Sequence, residues 1–180
     1  MNAEKASRTA VAVFGHSKAD AAGLAQAEQA GRLLARNGYT VVNGGYGGTM
    51  EACARGALAE GGQVVGVTCR VWPGQPNPHL TRHIITETLP QRLGTLIELA
   101  GGGFVVLPGG TGTLLELAMV WELMNKTLIQ PRPIVCLGES WRPVVETVVR
   151  VQPEAAARVS FCSIEELGGF FPPVPAHARR

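Results

Sequence analysis

Three lysines, Lys5, Lys18 and Lys126, are all that this 180-residue chain contains, against 13 arginines. None follows a glycine, so the Gly-Lys-Ser/Thr end of a P-loop is missing, and ATP hydrolysis loses weight. None sits where a pyridoxal Schiff base would need it, since two are near the N-terminus and the third follows a helix-like segment. Charge is scarce, at 17% of residues with a net of +2, too little to argue for a nucleic-acid partner. Cys53, Cys69, Cys136 and Cys162 form no C-x-x-C pair, and each lies in or beside an apolar segment. They read as buried free thiols in a reducing compartment. No apolar run reaches the ~18 to 20 residues needed to span a bilayer, and residues 1–9 are polar and charged rather than a signal peptide. A cytoplasmic protein with no membrane partner is expected. His16, His79, His83 and His177 lack ligand spacing, so no metal site is expected; no cofactor is expected either.

What is present is apolar and punctuated. Hydrophobic residues make up 46% of the chain, and 23 glycines cluster at the ends of apolar segments. Short Val/Ile-rich runs at 9–14, 39–43, 63–68, 104–107 and 133–137 alternate with helix-like spacing at 20–37, 49–60, 89–100 and 141–151. Weaker strands are expected at 83–88 and 158–163, and a short helix from Ile164. Residues 69–80 hold Pro73, Pro76 and Pro78 and are expected to form a loop. The alternation predicts an α/β fold, a Rossmann-like, doubly wound and mainly parallel sheet with helices on both faces. It is expected to be one nucleotide-binding domain over 1–180, with loose tails at 1–8 and 172–180. In such sheets ligands bind beyond the carboxyl ends of the strands.

Two glycine-rich turns stand at such ends. The first holds Gly44, Gly45, Gly47, Gly48 and Thr49. The second follows Pro108 and holds Gly109, Gly110, Thr111, Gly112 and Thr113. Bare backbone N–H groups at a helix start suit a phosphate or carboxylate, although a turn that merely needs positive φ would look the same. Neither turn completes G-x-G-x-x-G, because Met50 and Leu115 stand where the third glycine should be. Gly15 and Ser17, in the turn after the first strand, are further candidates for the ligand site.

Glu116 is the one acid in the strongly apolar segment 114–121. Thr113-Leu114-Leu115-Glu116 has the spacing of a capping box, which would account for it. A carboxylate among so many apolar side chains is also costly unless something uses it. Both readings stand, and they are compatible. Arg92 is its expected counterpart, and Glu51 occupies the matching place after the first glycine turn, where a helix dipole alone would explain it. Trp72 and His79 could stack on a base, or Trp72 could plug the core.

Pro108-Gly109-Gly110-Thr111-Gly112-Thr113-Leu114-Leu115-Glu116 completes the pattern P-G-G-x-G-T-x-x-E, and residues 44–57 resemble a second glycine motif of the same group. Over roughly residues 10–150 the sequence resembles the LOG (Lonely Guy) family, once labelled lysine decarboxylase-like. That resemblance implies a Rossmann-like homodimer, with the site near the interface. It implies a phosphoribohydrolase that splits nucleoside 5′-monophosphates, such as AMP or cytokinin ribotides, into free base and ribose 5-phosphate. By the same resemblance Gly109 to Thr113 hold the phosphate, Glu116 is catalytic, and Arg92 matches the family arginine. Two positions depart from the family pattern: its lysine after the arginine is Leu93 here, and a second acid before the motif glutamate is Leu115. Both bear on the cytokinin assignment more than on the reaction class. The same superfamily includes non-catalytic nucleotide and molybdenum-cofactor carriers, which supply the alternative function.

Overall fold

A computed structural model describes residues 9–175. Seven strands form one parallel sheet: β1 (Ala10–Phe14), β2 (Thr40–Asn43), β3 (Val64–Cys69), β4 (Arg82–Thr86), β5 (Gly103–Val106), β6 (Ile134–Leu137) and β7 (Val159–Cys162). Their order across the sheet is β4-β3-β2-β1-β5-β6-β7, with every adjacent pair parallel. The α/β expectation is met. The helices are α1 (Ala21–Arg36), α2 (Thr49–Ala59), α3 (Leu89–Leu99), α4 (Thr111–Asn125), α5 (Arg142–Val151) and α6 (Leu167–Phe170). A 3-10 helix at Pro153–Arg158, absent from the sequence reading, leads into β7. Among the described residues, no helix is long and apolar enough to cross a membrane.

Strand side chains alternate between two apolar layers. Ala10, Ala12, Phe14, Phe104 and Val106 face a core closed by Leu96 and Ile97 of α3 and by Leu117, Val120 and Trp121 of α4. Val11, Val13 and Val105 face the other core, closed by Ala27, Ala30 and Leu34 of α1 and by Ala52, Cys53 and Ala57 of α2. Burial on both faces is why the inner strands read as unbroken apolar runs. All four cysteines are free and buried. Burial pushes the Cys53 and Cys136 thiols up to about 12, so neither is a nucleophile.

From β1 the chain steps outward through β2 and β3 to β4, then returns by α3 to β5 on the other flank of β1. The direction of winding reverses between β1 and β5, and that gap is the topological switch point. The β3–β4 crossover carries no helix, because Pro73, Pro76 and Pro78 interrupt it.

The tail from 172 was expected to be loose, yet up to 175 it packs. The Val174 side chain is buried, its N–H donates to Asn37 O at 2.7 Å, and Tyr39 Oη donates to Pro172 O at 3.1 Å. An apolar side chain among the prolines anchors the segment. The expected loose segments at 1–8 and 176–180 lie outside the described residues.

α1 and α2 approach closely at two glycines. A Cβ on Gly31 would collide with the Cys53 carbonyl oxygen, and one on Gly56 with that of Glu28. Gly31→Ala gains about 1 kcal/mol of helix propensity, but overpacking against rigid backbone costs about 1–3 kcal/mol. We expect Gly31→Ala to unfold at a lower denaturant midpoint than the parent. An unchanged or higher midpoint would mean that the helices can slide apart freely.

Candidate functional site

A cleft of about 620 Å3 opens at the carboxyl ends of β1, β2 and β5, lined among others by Gly15, Ser17, Gly47, Arg92, Glu116 and residues 110–113. One wall is the start of α4. Gly110 is its N-cap and supplies no side-chain cap. The first helical bond runs from Leu114 N–H to Gly110 O at 3.0 Å. The N–H groups of Thr111, Gly112 and Thr113 therefore have no helical partner, and these residues face the cleft. Added side chains at Gly110 or Gly112 would meet nothing within 4 Å. Packing does not demand glycine there, but access to the backbone does. Gly109 differs, since a Cβ on it would strike the Thr113 side chain, and it does not line the cleft.

The capping-box reading of Glu116 is overturned. The helix begins three residues earlier than Thr113-x-x-Glu116 requires, so Thr113 and Glu116 lie within α4. Three residues apart, they share its buried face, at 1% and 6% exposure. Thr113 Oγ1 and Glu116 Oε2 are buried without a hydrogen-bond partner among the described residues. Such orphaned atoms are costly, and both belong to residues that line the cleft.

Arg92 reaches Glu116 from the first turn of α3, which Thr88 caps by accepting the Gln91 N–H at 3.3 Å. Its Nε donates to Val67 O at 2.8 Å, and its Nη1 lies 3.4 Å from Glu116 Oε1. The guanidinium carbon stands 5.8 Å from the ring centres of both Tyr46 and Trp72. Burial outweighs the attraction of Arg92 and pushes the Glu116 carboxyl up to about 7. A carboxyl poised there can act as acid or base near neutral pH.

The first glycine turn works differently. Only Gly47 of its named residues lines this cleft, whereas Gly44, Gly45, Gly48 and Thr49 do not. A Cβ on Gly44 would collide with Arg92 Nη2 and Met50 Sδ, so this glycine makes room for the arginine. Gly48 has φ +68°, with the His16 and Ser17 backbone at its Cα. Thr49 Oγ1 donates to His16 O at 3.0 Å and accepts the His16 N–H at 2.9 Å. The turn thus holds the β1 loop, placing Gly15 and Ser17 at the cleft. Glu51 does not line it, and sits 3.9 Å from His79 Nε2. Among the described residues, no three His, Cys, Asp or Glu side chains group to hold a metal.

His16, Tyr46, Met50, Gly74 and Gln75 also line the cleft and were missed in the sequence. Tyr46 left a signal, as a bulky residue inside a bare glycine turn, while the others left none. The two departures from the family pattern lie off the cleft: Leu93 is buried in α3, and Leu115 is 42% exposed.

The family described as SLOG cluster4 matches residues 8–157. A cytokinin riboside 5′-monophosphate phosphoribohydrolase of Rhodococcoides fascians is 31% identical over 150 residues, 76% of this chain and 74% of that protein. Two solved structures share the fold. The molybdenum cofactor binding protein of Rippkaea orientalis superposes with a TM-score of 0.73 at 22% identity, covering 91% of this chain and 93% of that one. The molybdenum cofactor carrier protein of Chlamydomonas reinhardtii gives 0.69 at 21% identity, covering 91% and 94%.

The Glu116 environment has a consequence for stability. The folded chain keeps the Glu116 proton up to about 7, whereas an unperturbed glutamate releases it near 4.5. Stability from this group is therefore fully present below 4.5 and is lost as pH rises through 7. Glu116→Gln avoids that loss, so it should exceed the parent in stability by up to about 3 kcal/mol at pH 8 and match it at pH 4. Urea unfolding of both proteins at each pH checks this. A difference independent of pH would mean that Glu116 is ordinary.

Proposed function

The chain belongs to the SLOG cluster4 family, a LOG-type group, and from that premise we propose that it hydrolyses nucleoside 5′-monophosphates of the AMP or cytokinin ribotide type at the N-glycosidic bond. The observation that carries this reading is Glu116, a buried carboxyl paired with Arg92 one helical turn beyond an open helix start. The 5′-phosphate accepts hydrogen bonds from the N–H groups of Thr111, Gly112 and Thr113, with the partial positive end of α4 behind them. That anchor sets the ribose beside Glu116. As the C1′–N bond breaks, its electron pair leaves with the base and positive charge builds on the sugar. Ionised Glu116 stabilises that charge and takes a proton from the water that adds to C1′. The base gains a proton, and free base and ribose 5-phosphate are the products. Arg92 holds Glu116 and stands ready for the phosphate or the departing base.

A second reading draws on the molybdenum-cofactor proteins that share the fold. The same helix start would hold the phosphate of a nucleotide or pterin without cleavage. A carrier has little use for a desolvated carboxyl beside an anion, which is why hydrolysis is preferred.

Incubation of the purified protein with AMP, other nucleoside monophosphates and isopentenyladenosine monophosphate, followed by chromatography for free base, tests the choice. The parent should release base, Glu116→Gln should lose about 10² to 10⁴-fold, and Arg92→Ala should be impaired. Because Glu116 acts ionised, kcat/KM should rise with pH through about 7. Tight nucleotide binding by calorimetry with no base released would sink hydrolysis in favour of the carrier.

A further inference from the structure

Trp72 is 49% exposed, in contrast to Trp121 and Trp141 at 5% and 6%. The buried pair are structural: their Nε1 groups donate to Ala155 O at 3.0 Å and Leu107 O at 2.9 Å. Trp72 instead lines the cleft together with Tyr46. A half-open indole on a surface loop would ordinarily mean little, but this one is held in place. The Trp72 backbone N–H donates to Cys69 O at 3.0 Å, and the Arg70 backbone N–H donates to Thr86 O at 2.8 Å. Further along the loop, Asn77 N–H donates to Gly45 O at 2.8 Å, and Asn77 Nδ2 donates to Tyr46 O at 3.0 Å. Pro73 and Pro76 stiffen the segment between.

Tyr46 is fixed as firmly. Its hydroxyl accepts the Cys69 N–H at 2.9 Å and donates to Cys69 O at 3.1 Å. A Cβ on Gly74 would come within 3.0 Å of the Tyr46 ring, so the loop lies flat against it. The two rings meet edge to face, with centres 6.4 Å apart and planes at 71°. The Arg92 guanidinium stands 5.8 Å from each ring and also reaches Glu116. The cleft thus has an open helix start on one side, a carboxyl within it, and an aromatic wall.

We propose that Trp72, backed by Tyr46, is a specificity-determining residue that stacks on the base of the bound nucleotide and selects fused-ring purines over pyrimidines. This rests on the nucleotide reading above. Ring stacking tolerates any planar base but strengthens with overlap. A two-ring base covers more of the indole than a one-ring base does. The fixed loop means that little side-chain freedom is lost on binding.

The test uses the parent, Trp72→Phe and Trp72→Ala. AMP, UMP and ribose 5-phosphate are titrated by calorimetry, and AMP also by tryptophan fluorescence. AMP should bind the parent more tightly than UMP and quench its emission, since Trp72 is the one exposed indole. Trp72→Ala should bind AMP about 10- to 100-fold more weakly, lose most of the purine preference, and bind ribose 5-phosphate as the parent does. Trp72→Phe should regain part of the AMP affinity and show no quench. Unchanged AMP affinity and purine preference in Trp72→Ala would overturn the proposal, and so would equal loss for ribose 5-phosphate or no AMP binding by the parent. Base release is scored separately. Its absence with the binding pattern intact sinks hydrolysis and leaves the stacking role standing. Release by Trp72→Ala at the parent KM does the reverse.

Discussion

A carboxyl and a guanidinium, both nearly removed from water, meet across 3.4 Å between α3 and α4. Taking two charged groups out of solvent is expensive unless their geometry repays it. Here the repayment is partial: Arg92 has a second anchor on Val67 O, whereas Glu116 keeps one oxygen without a partner. The surroundings are arranged for this pair. Gly44 is bare so that Arg92 fits. The return crossover from the sheet edge brings α3 against β3, and α4 turns its Thr113–Glu116 face inward. A buried acid kept protonated until about neutrality is a poor device for stability and a good one for chemistry.

The glycine turns divide the labour differently from what their likeness suggests. The turn after β5 is open: Gly110 and Gly112 have nothing near their missing side chains. Its glycines leave three N–H groups approachable at a helix start. The turn after β2 is crowded, with Gly44 against Arg92, Gly45 against Thr68 and Gly48 against the β1 loop. Its glycines permit close packing. One turn opens on the cleft, and the other sets its walls. Together they gather at the switch point three loops far apart in sequence.

The aromatic side of the cleft shows the same economy. Three prolines deny the β3–β4 crossover a helix, and the extended path that results carries Trp72, Gly74 and Gln75 to the rim. A helix there would have covered the sheet edge and left the cleft without that wall.

Much of the fold was legible because its physics is local. Unbroken Val/Ile runs between helical repeats imply a parallel sheet buried on both faces, and P-G-G-x-G-T-x-x-E marked a strand-to-helix turn with an acid nearby. The start of α4 was misread, because capping-box spacing and a shared helix face both place residues three apart. Tyr46 was legible only as an oddity among glycines, and Val174 was hidden by its prolines. By itself, the sequence determined the element types, the two glycine turns and the chemistry available at each. Only the tertiary structure decided the strand order, and with it which turn opens on the cleft, that Arg92 meets Glu116, and that Trp72 stands at the rim. Those are contacts between residues far apart in the chain, set by how layers pack, and no local spacing encodes them.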